Sequence, residues 1–161
     1  MNNQEIDYLM RYYVPSANWG GIYPSDKIPI SICRRCNYGI ICNTQNSNQK
    51  GEHWIAIYLP KSGVAEYFDS FGGPPNVEEF SSFLENGEFV YHTQQIQSAK
   101  GITCGHHCVF FLFCRFIGIE YHTVMSFYEK DMSINDHFVF EFVNKMKKKC
   151  KKKIAECYPS E

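Results

Sequence analysis

The sequence predicts an α+β domain in which one helix, apolar nearly all round, packs on a mixed β-sheet. Three observations carry this. Gly105 to Ile117 contains Val109, Phe110, Phe111, Leu112, Phe113, Phe116 and Ile117, and a helix apolar on every side belongs at the centre of a domain. Upstream, residues 38–44, 53–59 and 64–68 are short runs rich in β-branched and aromatic residues, separated by polar or glycine-containing turns. Downstream, the spacing is helical. A chain of 161 residues suits one domain with a sizeable core. An aromatic content of 16% excludes a disordered chain.

The elements follow in chain order. Gln4 to Tyr13 reads as an amphipathic helix with Ile6, Leu9, Met10 and Tyr13 on one side. Pro15, Gly20, Gly21, Pro24 and Pro29 predict a loop, in which Trp19 packs or forms a wall of a substrate groove. Cys33 and Cys36 have the spacing of a zinc half-site, but no second pair follows, so unpaired thiols and no metal are expected. Tyr38 to Thr44 is a strand and Gln45 to Lys50 a polar turn. His53 to Leu59 is a second strand, with His53, Ile55, Ile57 and Leu59 on one face. Lys61-Ser62-Gly63 closes a hairpin to Val64–Phe68. That hairpin puts His53 and Asp69 at the same end of neighbouring strands, which lie about 4.8 Å apart.

Pro74-Pro75-Asn76 stops the strand, and Asn76 with Glu79 resembles a capping box for a helix with Phe80, Phe83 and Leu84 on its apolar face. Glu88 to His92 is a short strand leading towards Gln97. The chain breaks at Gly101, the central helix follows, and Gly118 ends it. Tyr121–Lys130 and Asn135–Met146 are two further helices. The second carries Ile134, Phe138 and Phe142 beside Val143 and Met146, with Ser133 and Asp136 at its cap.

Cys104 falls at the first turn of the central helix. Free backbone N–H groups and the positive end of the helix dipole favour a thiolate there. A thiolate nucleophile needs a base for its proton. His53 is that candidate, and Asp69, in Phe68-Asp69-Ser70-Phe71-Gly72, is the candidate that orients it. Cys108, one turn further on, is expected to point into the core. His106 and His107 are read as surface residues or as helpers near the nucleophile.

Gly51-Glu52-His53-Trp54, Phe68-Asp69-Ser70-Phe71-Gly72, and Gln97 seven residues before Cys104-Gly105 stand in the order His, Asp, Gln, Cys. In this the chain resembles the adenovirus-type cysteine proteases (adenain) and, more distantly, the SUMO-deconjugating proteases that share their fold. A weaker likeness covers Tyr38 to Thr44, and the whole spans roughly residues 1–120. The resemblance implies a papain-like cysteine protease fold. It assigns catalysis to His53, Asp69, Gln97 and Cys104, with the Gln97 side-chain amide and the Cys104 backbone N–H as oxyanion donors. Trp54 is then expected beside the catalytic pair, and Trp54 and Gly105 are candidate substrate contacts.

The implied function is a cysteine endopeptidase of virion maturation, cleaving viral or virus-like precursors (a capsid or core protein) after Gly-rich sites. Two alternatives stand beside it: removal of a ubiquitin-like modifier, and a catalytically inactive nucleic-acid-binding domain. The chain departs from adenain in its shorter length and in having no cysteine between Asp69 and Gln97, so a disulfide-tethered activating peptide is not carried over.

The net charge of −1 conceals an asymmetry. Seven of the 16 basic residues are Lys145, Lys147, Lys148, Lys149, Lys151, Lys152 and Lys153, which leaves nine elsewhere against 17 acidic residues, a balance of −8. The organisation expected is therefore a protease domain over 1–144 and a basic C-terminal tail over 145–161. Those lysines are the candidate site for double-stranded DNA, which the resemblance makes a possible activator beside a viral peptide; an import signal or solvated tail is the alternative. No cofactor is expected for the chemistry itself. The eight cysteines and the polar, acidic first ten residues predict reduced thiols and no signal peptide. A monomer without membrane contact is expected, in the host nucleus or cytoplasm and in the virion, and not secreted.

Overall fold

The structure, a computed structural model, describes residues 1–29, 36–84 and 88–157, with 152–157 described by backbone alone. Helix α1 (Asn3–Tyr13) is followed by β1 (Trp19–Pro24), β2 (Tyr38–Asn43), β3 (Trp54–Leu59), β4 (Ala65–Phe68), α2 (Glu78–Leu84), β5 (Phe89–Val90), α3 (Cys104–Phe116), α4 (Tyr121–Met125) and α5 (Met132–Cys157). Among the described residues the strands form one five-stranded sheet in the order β1-β2-β3-β4-β5. The central pairs β2–β3 and β3–β4 are antiparallel, and both edge strands are parallel to their neighbours, so the sheet is mixed.

The strands alternate between two cores. Ile41, Ala56, Tyr58 and Phe68 meet α1, α3 and α5 on one face. Ile40, Ile55, Ile57, Leu59 and Tyr67 meet Phe80 and Leu84 of α2 on the other. The face predicted for Ile55, Ile57 and Leu59 is thus the α2 face. Helix α3 is central, with Cys108, Val109, Phe111 and Leu112 fully buried. Gly118 ends it with a positive φ of 90°. The Gly118 and Ile119 N–H groups turn back to the Arg115 and Cys114 carbonyls, an arrangement that satisfies the last turn.

Several expectations are corrected. Residues 19–24 form a strand, not a loop. Gly20 is needed there because a Cβ would lie 2.4 Å from the Tyr38 ring; the register shifts between Trp19 and Gly21, and Gly21 takes a φ of +105°. Trp19 is a core residue whose Nε1–H donates to Asp7 Oδ1 at 2.8 Å, so it walls no groove. Helix α2 starts at Glu78, two residues after Asn76. Helix α4 stops at Met125, short of Lys130.

Helix α5 begins at Met132 and runs through the lysine cluster to Cys157. Its first turn is capped by Asp131, whose Oδ1 accepts from the Ser133 N–H and hydroxyl, and not by Asp136. The Lys145–Lys151 segment is no free tail: Met146 and Cys150 continue the buried stripe of Val139 and Val143. The spacing of these four positions keeps them on one helical face. The side chains of Lys152 and Lys153 lie outside the described residues, as does Cys33.

Candidate active site

The β3–β4 hairpin and the start of α3 bring His53, Asp69 and Cys104 together. Ala56 pairs with Phe68 in the antiparallel register, which carries His53 and Asp69 to the same end of the two strands. His53 Nε2 lies 2.7 Å from Asp69 Oδ1. The Phe71 backbone N–H donates to the same oxygen at 2.8 Å, and the Phe71 ring covers the imidazole with centroids 4.7 Å apart. Nε2 is therefore occupied, and Nδ1 is the nitrogen left for the thiol.

The electrostatics favour an ion pair. Burial pushes the Cys104 thiol up, but the hydrogen bond with His53 and the backbone N–H groups of Trp54 and Gly105 outweigh it and hold the thiol below its ordinary value. Burial pushes His53 down, yet the Asp69 and Cys104 hydrogen bonds raise it to about 9. A lowered thiol beside a raised imidazole favours the thiolate–imidazolium form over the neutral pair. Cys108 is the opposite case: fully buried, its Sγ–H donating to the Trp54 carbonyl at 3.4 Å, it is held well above the ordinary thiol value.

Gln97 is 1% exposed and is fixed at both ends of its amide. Ser70 Oγ–H donates to its Oε1 at 2.6 Å, and its Nε2–H donates to the Gly101 carbonyl at 2.8 Å. An amide nitrogen carries two protons, so one is left over from the bond to Gly101.

This gives a physical reason for each polar or small residue of 68–72. Asp69 holds His53, Ser70 holds Gln97, and Gly72 lets the turn touch the segment before Gln97. Its φ is +70°, and a Cβ there would stand 2.3 Å from the Gln94 carbonyl carbon. The Ser70 carbonyl also accepts from the Ile96 and Gln97 N–H groups.

Three supporting residues were not legible in the sequence as site residues. Ser70, wholly buried, is the first. The second is Asp136, on α5. Its carboxylate accepts from the Thr103 hydroxyl at 2.5 Å, His107 Nε2 at 3.0 Å and the Ser98 N–H at 3.1 Å, and so ties down the loop between Gln97 and Cys104. Asn135 is the third, its Nδ2–H donating to the Ile96 carbonyl at 3.0 Å.

His106 and His107 are not surface residues: both are buried, and His107 is a strut for Asp136. Trp54 is half-buried against the core, and its backbone N–H reaches Cys104. Gly105 is buried, and a Cβ on it would stand 3.2 Å from Trp54 and 3.3 Å from Ile6, so it permits close packing there. Among the described residues, no group of three or more His, Cys, Asp or Glu side chains could hold a metal ion.

One cleft is lined by His53 itself and a second by its neighbour Trp54. The first, of about 500 Å³, is lined by His53, Asp69, Phe71, Thr44, Pro74 and Val77. The second, of about 320 Å³, is lined by Trp54, Gly51, Asn43, Asn2 and Met1.

No family model matches the chain. It is 26% identical over 105 residues to proteins of two African swine fever virus isolates, from a Kenyan pig and a Malawian tick, named as a SUMO-1 cysteine protease and a cysteine protease. The match covers 56% of this chain and 38% of theirs, so the chain spans well under half the length of these curated relatives. Among solved structures, it resembles the crystal structure of an African swine fever virus protease, with a TM-score of 0.55 and 18% identity over 86% of this chain and 66% of that one. The fold is the one that protease has: α+β, with helices packed on a mixed five-stranded sheet.

Proposed function

We propose that this chain is a cysteine peptidase that cleaves a peptide or isopeptide bond through Cys104. The observation that carries the reading is the continuous line from Asp69 through His53 to Cys104, with Gln97 locked beside it by Ser70. The Cys104 thiolate attacks the substrate carbonyl carbon and its π electrons move to the oxygen. That oxyanion accepts from the free Gln97 Nε2–H and the Cys104 backbone N–H, donors placed where charge develops. The imidazolium of His53 gives its proton to the leaving amine, releasing it and leaving a thioester. Neutral His53 then takes a proton from water. The resulting hydroxide attacks the thioester, and the Cys104 thiolate leaves. Asp69 holds Nε2 and so keeps Nδ1 facing the sulfur.

The substrate class proposed is a protein ending its acyl side in Gly-rich sequence. The likeness of its motifs to proteases that cleave after small residues supports this, and the cleft lined by His53 and Phe71 and the one lined by Trp54 are the candidate places for the chain on either side of the bond. A viral or virus-like precursor is the first candidate. The printed name of one relative favours a second, a ubiquitin-like modifier released from its conjugate. Both reactions use the same chemistry. Incubation with a Gly-Gly fluorogenic peptide and, side by side, with a ubiquitin-like fusion tests this. Turnover of either that is lost in Cys104→Ser is expected; turnover of neither, by a folded protein whose Cys104 alkylates normally, would overturn it.

A further inference from the structure

Helix α5 places its lysines around an apolar hollow. Tyr13 of α1, Phe113 of α3, and Phe142 and Met146 of α5 form the floor of a cavity of about 390 Å³. Lys145, Lys148 and Lys149, all exposed, stand on its rim. Phe142 stacks edge-on to Phe113 at 5.4 Å and to Phe110 at 5.0 Å, and Phe110 in turn meets Phe138 and Phe127. Phe127, Ile134 and Phe138 are 44%, 54% and 40% exposed, so apolar surface continues from the hollow along α5.

Lys147 is different. It lies on the other flank, where its Nζ donates to Glu5 Oε1 at 2.8 Å. Lys145, Lys148 and Lys149 form no ion pair among the described residues, and these three unpaired cations of α5 are the ones that line the hollow.

We propose that this hollow docks an acidic peptide segment of a partner protein, with one aromatic or aliphatic side chain in the cavity and carboxylates against Lys145, Lys148 and Lys149. A nucleic-acid backbone would satisfy the lysines but leave the apolar floor in water. A segment carrying both carboxylates and an apolar anchor satisfies both, as in other recognition grooves. Exposed apolar surface rimmed by charge marks such a site. The hollow is separate from the chemistry: Phe113 is nine residues along α3 from Cys104, roughly 13 Å at the helical rise. It sits on the helix that bears the nucleophile and leaves the clefts around His53 open, which suits a tether for a protein whose scissile bond is presented elsewhere.

The test uses the full chain and a fluorescein-labelled twelve-residue peptide of Asp and Glu around a central Leu-Phe pair. Fluorescence anisotropy is expected to give a Kd in the micromolar range. Replacing Leu-Phe by Ser-Ser should weaken binding about tenfold, and Lys145→Glu with Lys148→Glu and Lys149→Glu should abolish it, while thermal melting shows the variant folded. Two competitors read the rival occupants: a 20-base-pair duplex, and vesicles of phosphatidylserine in phosphatidylcholine. Equal binding of the Leu-Phe and Ser-Ser peptides, or tighter binding of duplex or vesicles through the same three lysines, would overturn the proposal, as would no peptide binding at all.

Discussion

Removing the Asp136 carboxylate should loosen the loop between Gln97 and Cys104, the two proposed sources of oxyanion donors, although Asp136 touches none of the proposed reacting groups. It accepts from Thr103, His107 and Ser98. His107 is wholly buried and Thr103 is 9% exposed, whereas Ser98 is half-buried and water can replace its partner. Asp136→Ala thus strands two buried donors, each costing about 1–3 kcal/mol, for a loss of about 2–6 kcal/mol in stability. The same change frees the segment between Gln97 and Cys104. Small misplacements of catalytic groups cost up to about 100-fold, so a 10- to 100-fold drop in kcat per titrated active site is expected.

Asp136→Asn retains one acceptor oxygen and should fall between wild type and alanine on both scales. The assay pairs urea denaturation with single-turnover cleavage at a temperature where every variant is folded, each preparation counted by iodoacetamide uptake at Cys104. If stability falls as computed but kcat per site is unchanged, Asp136 is a structural strut and does not position the oxyanion loop. Unchanged stability would refute the burial argument itself.

Other consequences can be measured separately. Gln97→Ala should lower kcat by about 100- to 1000-fold, with Ser70→Ala less severe because it misplaces the donor without deleting it; equal KM values and unequal kcat values are the signature. His53 is raised to about 9, so kcat/KM should fall on the alkaline side as that proton is lost near pH 9. Asp69→Asn should move this limb to lower pH, and an unmoved limb would count against the His53–Asp69 assignment. His106 is held down to about 4 by burial, by the N-terminal amine and by Lys147. The unfolded chain takes that proton first, at its ordinary value of about 6.5, so stability should be full above pH 6.5 and decline as pH drops towards 4; His106→Gln should flatten the decline in urea midpoints. Arg115 pairs with Glu66 through two bonds of 2.7 and 2.8 Å in the core, and Arg115→Ala should cost about 3–5 kcal/mol by leaving the carboxylate buried alone; a loss under 1 kcal/mol in calorimetry or denaturation would show that the pair is well solvated.

What the sequence made legible was what local pattern controls. The period-two run from His53 to Leu59, the turn at Lys61–Gly63 and the apolar run after Cys104 fixed the hairpin, the central helix and the approach of His53 to Asp69. Strand β1 was invisible because its glycines read as a breaker. Their reason is tertiary: Gly20 makes room for Tyr38, and Gly21 takes a backbone conformation closed to other residues. Lysine density hid the continuation of α5, since seven charges outweighed Met146 and Cys150 as two apolar positions on one face. Asp136 looked like a helix cap because its neighbours in sequence suggested nothing else. Its partners Ser98, Thr103 and His107 lie 29 to 38 residues away, a distance no local rule spans. Ser70 was quoted only as part of a motif, and its hydrogen bond to Gln97 appears when β4 and the 94–97 segment are placed side by side.

The central claim is that Cys104 carries the acyl group of the substrate. It is tested most directly by intact-protein mass spectrometry after acid quench of a reaction with a peptide ester ending in Gly-Gly. The account predicts a single adduct of the acyl mass, mapped to Cys104, that forms faster than it hydrolyses, is absent in Cys104→Ala and forms far more slowly in His53→Ala. Turnover without any adduct in rapid-quench samples, or an adduct on Cys36, Cys108 or any other residue that persists in Cys104→Ala, would contradict it.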